Sequence, residues 1–144
     1  MLDDPQLLRQ LTSELAGEFG TRVIYEQIPV IENSVICCSC SWWLACNDLL
    51  PIPEQIIIAL LPFPKLESPF VADRVECYKA QGRDWFREFL LPEMLLLLFC
   101  TLSVARRGKV RIAILDGRLR LRSWGTKVFR ILEPWYPLQR LLPN

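Results

Sequence analysis

Gln55-Ile56-Ile57-Ile58-Ala59-Leu60-Leu61-Pro62-Phe63-Pro64 is the stretch on which the fold turns. From Gln55 to Leu61 it is nearly all apolar, as expected of a central strand of a parallel sheet covered on both faces. Pro62, Pro64 and Pro69 keep the chain extended beyond it. Upstream, Leu7, Leu8, Leu11, Leu15 and Phe19 recur at helical spacing, with Gly20 where a C-cap belongs. Arg22–Tyr25 reads as a short strand, and Val35–Cys38 as a second running into Ser41-Trp42-Trp43. Downstream, Val71, Val75 and Tyr78 mark one helix face ending near Gly82. Asp84 suits the N-cap of a turn carrying Trp85, Phe86, Phe89 and Leu90, and Pro92 suits the first turn of an apolar helix. Val110–Leu115 reads as another strand, and Lys127–Leu132 as a last helix stopped by Pro134. Strands alternating with helices predict an α/β fold with a mostly parallel sheet flanked by helices.

The composition suits one domain. With 144 residues, 51% hydrophobic content and eleven prolines, the chain can bury a core without disulfides. The domain is expected over residues 7–137, with residues 1–6 and 138–144 frayed. The longest near-apolar run, Met94–Ala105, covers twelve residues. A bilayer core needs ~20, so the run predicts a buried helix rather than a membrane partner. No charged, apolar and small-residue leader pattern opens the sequence, which predicts a cytoplasmic location.

Four of the six cysteines (Cys37, Cys38, Cys40 and Cys46) lie within ten residues. Zinc sites pair ligands at Cys-x-x-Cys spacing or add histidines, and this chain has neither, so no metal is expected. Cysteines in Val35-Ile36-Cys37-Cys38 are expected to pack as small hydrophobes. Without histidine, no Ser/His/Asp or Cys/His nucleophile set can form. Asp116 has no second acid or base near it in sequence and reads as a strand-end cap.

Charge is uneven. Residues 1–104 hold 7 basic and 14 acidic side chains, and residues 105–144 hold 10 and 2. A basic end can draw in a polyanion, or simply balance the acidic half. In Arg118-Leu119-Arg120-Leu121-Arg122 the alternation also fits a half-exposed strand, leucines inward and arginines outward. That bland reading is favoured for Arg120. Arg118 follows the carboxyl end of a parallel strand, where sites in open α/β sheets collect.

Leu61-Pro62-Phe63-Pro64, Val71-Ala72-Asp73-Arg74, Trp85-Phe86, Leu91-Pro92, Ile114-Leu115-Asp116-Gly117-Arg118 and Ser123-Trp124-Gly125 follow one another in a specific order. In that order the chain resembles the second RecA-like motor domain of DinG/XPD-type superfamily 2 DNA helicases, from about Leu7 to Pro137. The resemblance implies a three-layer RecA-like fold and a role as the C-terminal motor domain of an ATP-dependent helicase. It also implies contacts to single-stranded DNA or another nucleic acid through Ser41, Trp43, Arg118, Arg122 and Trp124, although from the residues alone core packing is the favoured reading of Trp42 and Trp43. Tryptophan can stack on a base, and arginine can pair with phosphate.

Two motifs depart from the family. Where it shows Ser-Phe-Trp-Glu-Gly-Val-Asp, this chain has Ser41-Trp42-Trp43-Leu44-Ala45-Cys46-Asn47. Leu44 can neither accept a hydrogen bond nor carry charge. Where the family shows Gln-x-x-Gly-Arg-x-x-Arg, the counterparts are Cys100, Ser103, Val104 and Arg107, with Arg106 able to take the last place. An arginine finger is worth about 10³–10⁵ in phosphoryl transfer, and valine supplies none of it. The phosphate-cradling Gly-x-x-x-x-Gly-Lys-Ser/Thr loop is missing too; Ser103 to Lys109-Val110 lacks its first glycine and its hydroxyl. The chain is therefore expected not to hydrolyse ATP alone. Arg106 and Arg107 remain as weak catalytic candidates, and ATP with Mg²⁺ would enter only with a first motor domain on another chain. The alternative is an inert structural or protein-interaction module that kept the fold.

Overall fold

A computed structural model describes residues 1–135. Helix α1 (Pro5–Phe19) starts where the Asp4 carboxylate accepts hydrogen bonds from the Gln6 and Leu7 amides. It ends at Gly20, whose φ of 63° is open to glycine without strain. Strands β1 (Val23–Tyr25) and β2 (Val35–Cys37) pair in parallel, Ile24 opposite Ile36. Strands β3 (Gln55–Ile58) and β4 (Arg111–Ile114) form a second parallel pair, Ile56 opposite Ile112. The domain is thus mixed α/β with two short parallel pairs, and the described residues do not form the full RecA-like sheet.

The first two residues lie between the pairs. The Leu2 amide donates to Cys38 O at 3.1 Å, the Met1 amine to Ile57 O at 2.6 Å, and the Ala59 amide to Met1 O at 3.0 Å. Leu2 is buried against Leu8 and Cys37. At the end where the sequence suggested fraying of residues 1–6, the backbone groups of Met1 and Leu2 are hydrogen-bonded to both strand pairs, and Leu2 is buried in the core. The expectation for residues 138–144 lies outside the described residues.

Helix α4 (Leu91–Thr101) is the centre of the core. Met94 and Leu98 are fully buried against Ile56 and Ile58 of β3, with Trp43 of α2 (Cys40–Cys46) and Val128 of α6 (Gly125–Leu132) around them. The continuous helical stretch Phe86–Arg107 is long and apolar enough to cross a membrane by length and composition alone. Here its buried face forms the floor of the core. On the opposite sheet face, Leu8 and Leu15 of α1 cover β1 and β2 through Val23, Tyr25 and Cys37. That cover stops short of β3, where Ile57 is 44% exposed. The expectation that Gln55–Leu61 is covered on both faces thus holds for one face only, because α1 spans one strand pair.

Two more local readings change. Ser39 caps α2, its Oγ accepting from the Trp42 amide, so Ser41-Trp42-Trp43 lies on a helix rather than a strand. Arg118–Leu121 is a short helix, α5. Residues two apart on a helix point in different directions, so Leu119 is buried while Leu121 is 83% exposed. Helix α3 (Pro69–Ala80) packs Val71 and Val75 on Phe89 and Leu90 of a π-helical turn at Phe86–Leu90.

Removing a fully buried side chain at the centre of α4 should cost more than any surface change. Met94→Ala or Leu98→Ala is expected to lower unfolding free energy by ~2–5 kcal/mol in urea titrations. Gly125 and Gly17 should respond oppositely to alanine. A Cβ at Gly125 would collide with the Leu119 carbonyl of α5, whereas none of its size meets anything at Gly17 in α1. Gly125→Ala is expected to destabilise by ~1–3 kcal/mol and Gly17→Ala to stabilise by ~0.5–1 kcal/mol in the same assay.

Candidate nucleic-acid interface and the groove beside it

Asp116 ends the chain's run out of β4. Its side chain is almost fully buried, and Oδ2 accepts from the Leu61 amide at 3.0 Å. Arg118 then folds back over it: Nε donates to Oδ1 at 2.9 Å and Nη2 to Oδ2 at 2.6 Å. This two-pronged pair fixes the guanidinium plane 5.0 Å above the Phe63 ring. Phe63 stacks on Phe86 with centroids 5.8 Å apart and meets Trp124 edge-on at 5.5 Å. Trp85 closes the group against Phe86. A shallow cavity of about 560 Å³ opens over these rings, and Arg87, Arg118 and Arg122 stand along it.

Three of the five nucleic-acid candidates, Arg118, Arg122 and Trp124, therefore come together. Arg118 is half committed to Asp116, but among the described residues no ion pair takes Arg122. Trp43 does not belong to the surface. It is 5% exposed, and its indole N–H donates to Thr101 O at 2.8 Å, so it has no free face for a base. Ser41 is exposed but lines a different groove. Sequence reading missed Phe63, Trp85 and Phe86 as members of the shelf. Their signal was present in Leu-Pro-Phe and Asp-Trp-Phe, where it read as packing.

The groove near Ser41 has a volume of about 780 Å³ and runs between α2, α4 and residues 62–65. Leu44, Leu96, Leu97 and Cys100 make its wall. At the N-terminal end of α2, Glu26 Oε1 accepts from the Ser39 amide and hydroxyl, and Asp3 Oδ1 accepts from the Cys40 amide. Amides that could face a phosphate are thus already capped by the protein's own carboxylates. Asn47 donates its amide N–H groups to Trp43 O and Leu44 O, closing its own helix.

The residues that the resemblance sets in the place of an arginine motif do not gather at one site. Val104, in the first arginine's place, is buried in the core. Arg106 lies over the Phe99 ring at 4.6 Å and donates to Ile131 O at 2.9 Å. Arg107 pairs with Asp48 at 3.2 Å. Neither Arg106 nor Arg107 lines the groove. Burial pushes the Cys38 and Cys40 thiols up to about 12, so both stay protonated at neutral pH. Among the described residues no group of three or more metal-ligating side chains is placed to hold an ion.

The structure shows a mixed α/β domain, and one comparison of its sequence finds a similar protein. Over 123 residues the chain is 28% identical to the ATP-dependent DNA helicase YoaA of Haemophilus influenzae, covering 82% of this chain. It spans only 19% of that protein's length. No family model and no solved structure matches the chain.

Asp116 makes a pH-dependent prediction. Burial pushes its carboxyl up, but hydrogen bonds from Arg118 and the Leu61 amide outweigh this and hold it below its ordinary value of 3.8. A depressed carboxylate stabilises the fold fully above its unfolded value, and that stability is lost as pH falls through the folded one. Asp116→Asn is expected to cost about 1–2 kcal/mol at neutral pH, allowing for the half-exposed guanidinium. Its deficit relative to wild type should shrink below about pH 4 in urea midpoints measured against pH.

Proposed function

We propose that this chain is a helicase-derived domain that binds single-stranded nucleic acid and does not hydrolyse ATP alone. The observation that carries the reading is the shelf of Phe63, Phe86 and Trp124 with Arg118 and Arg122 on one cavity. Arg118 and Phe86 already pack on Phe63, so Trp124 is the ring on which a base would stack without regard to sequence, and the arginines follow the phosphates beside it. Arg118, held by Asp116, sets the direction in which its remaining N–H groups point. Arg122 supplies the more adaptable contact. The identity of the helicase relative agrees with this class of ligand, although that protein is far longer.

Loss of catalysis follows from chemistry rather than from length. Leu44, Cys100 and Val104 offer no charge to a γ-phosphate, and Arg106 and Arg107 are engaged elsewhere. ATP and Mg²⁺ would be brought by a first motor domain on another chain, if at all.

Fluorescence anisotropy with a labelled single-stranded oligonucleotide at two salt concentrations tests the reading. Binding should weaken steeply with salt, because each phosphate contact releases counterions. Arg122→Gln should reduce the salt slope by about 1, and Trp124→Ala should cost ~1–3 kcal/mol with little change in slope. Circular dichroism checks that each variant is folded. Absence of binding at low salt would sink the proposal.

A second reading, a protein-interaction module, is favoured by one observation: the groove by Ser41 presents leucines where a nucleotide site would present polar groups.

A further inference from the structure

The groove between α2, α4 and residues 62–65 borders the shelf at Phe63 and Pro64 but contains none of its arginines, and its chemistry is different. Its wall is apolar, and Leu96 on it is 60% exposed. Around that wall stand three carboxylates, Asp3, Glu26 and Glu93, against one cation, Lys65. Such a surface repels a polyanion and favours an apolar knob flanked by positive charge.

The same molecule carries that knob. Leu121, at the end of α5, is 83% exposed. Arg120 and Arg122 stand on either side of it in sequence and are exposed as well. The two features also sit in oppositely charged parts of the sequence: Asp3, Glu26 and Glu93 in the acidic residues 1–104, Leu121 in the basic residues 105–144.

We propose that the groove receives α5 of a second copy of this chain, Leu121 against Leu44 and Leu96, with Arg120 among the carboxylates. Knob and groove are different surfaces, so the contact is head to tail. Each copy in such a pair still has one knob or one groove free, and association continues beyond a dimer unless a ring closes. Burial of Leu121 supplies the apolar contact, and the charges set its orientation and its sensitivity to salt.

Sedimentation velocity on the full chain over a concentration series tests this. At low salt the wild type should grow past dimer as concentration rises, and at high salt it should fall back towards monomer. Leu121→Gln removes the knob and Leu96→Arg blocks the groove; both positions are exposed, so folding should be kept. Each variant alone is expected to associate at least roughly tenfold more weakly. An equimolar mixture should then form a dimer and stop there, because one intact knob meets one intact groove. A wild type that stays monomeric at low salt, or stops at a symmetric dimer, overturns the proposal. So does a mixture that remains monomeric.

Discussion

A single buried carboxylate ties together the parts of this molecule that build the aromatic shelf. Asp116 accepts the Leu61 amide beyond β3 and both prongs of Arg118 at α5. A charge removed from water at this depth must be paired and hydrogen-bonded, and its partners are thereby fixed in place. Leu61 leads directly into Phe63, and Arg118 closes over that ring. The aromatic shelf, the loop after β3 and the start of α5 therefore share one anchor.

Around this anchor, the positions that the helicase resemblance would assign to motor chemistry serve as packing or pair within the chain. Val104 fills the core beside Leu98 and Leu102. A valine there gains from burial, whereas an unpaired arginine would bear a heavy desolvation cost. Leu44 and Cys100 stand in the apolar wall of the groove by Ser41. Glu26 and Asp3 satisfy the first amides around α2 from within the chain. The aromatic shelf and its arginines lie on other residues than these.

The sheet shows a similar economy. Two strand pairs of three and four residues are joined through Met1 and Leu2, whose backbone groups reach Cys38 on one side and Ile57 and Ala59 on the other. Cover by α1 stops over the first pair, leaving Ile57 part-exposed, while α4 packs fully beneath the second. Most of the burial that holds the domain is therefore on the α4 side.

The sequence by itself determined the local elements whose signals are local. The period of Leu8, Leu11 and Leu15, the stop at Gly20, the turn at Asp84 and the proline opening α4 were all legible, because caps and backbone preferences act within a few residues. It also places Leu44, Cys100 and Val104, none of them charged, where the helicase resemblance would expect polar or charged groups. Tertiary structure decided the rest. The one-sided cover of β3 depends on how far α1 reaches. The helical form of Arg118–Leu121 follows from Asp116 bending the chain back on itself, which an alternating Leu/Arg pattern cannot reveal. Trp43 became core because Thr101 offered its indole an acceptor, while Phe63, Trp85 and Phe86 joined Trp124 through contacts remote in sequence. Periodicity reports which face of an element is apolar; which neighbour covers that face is settled only when the elements pack.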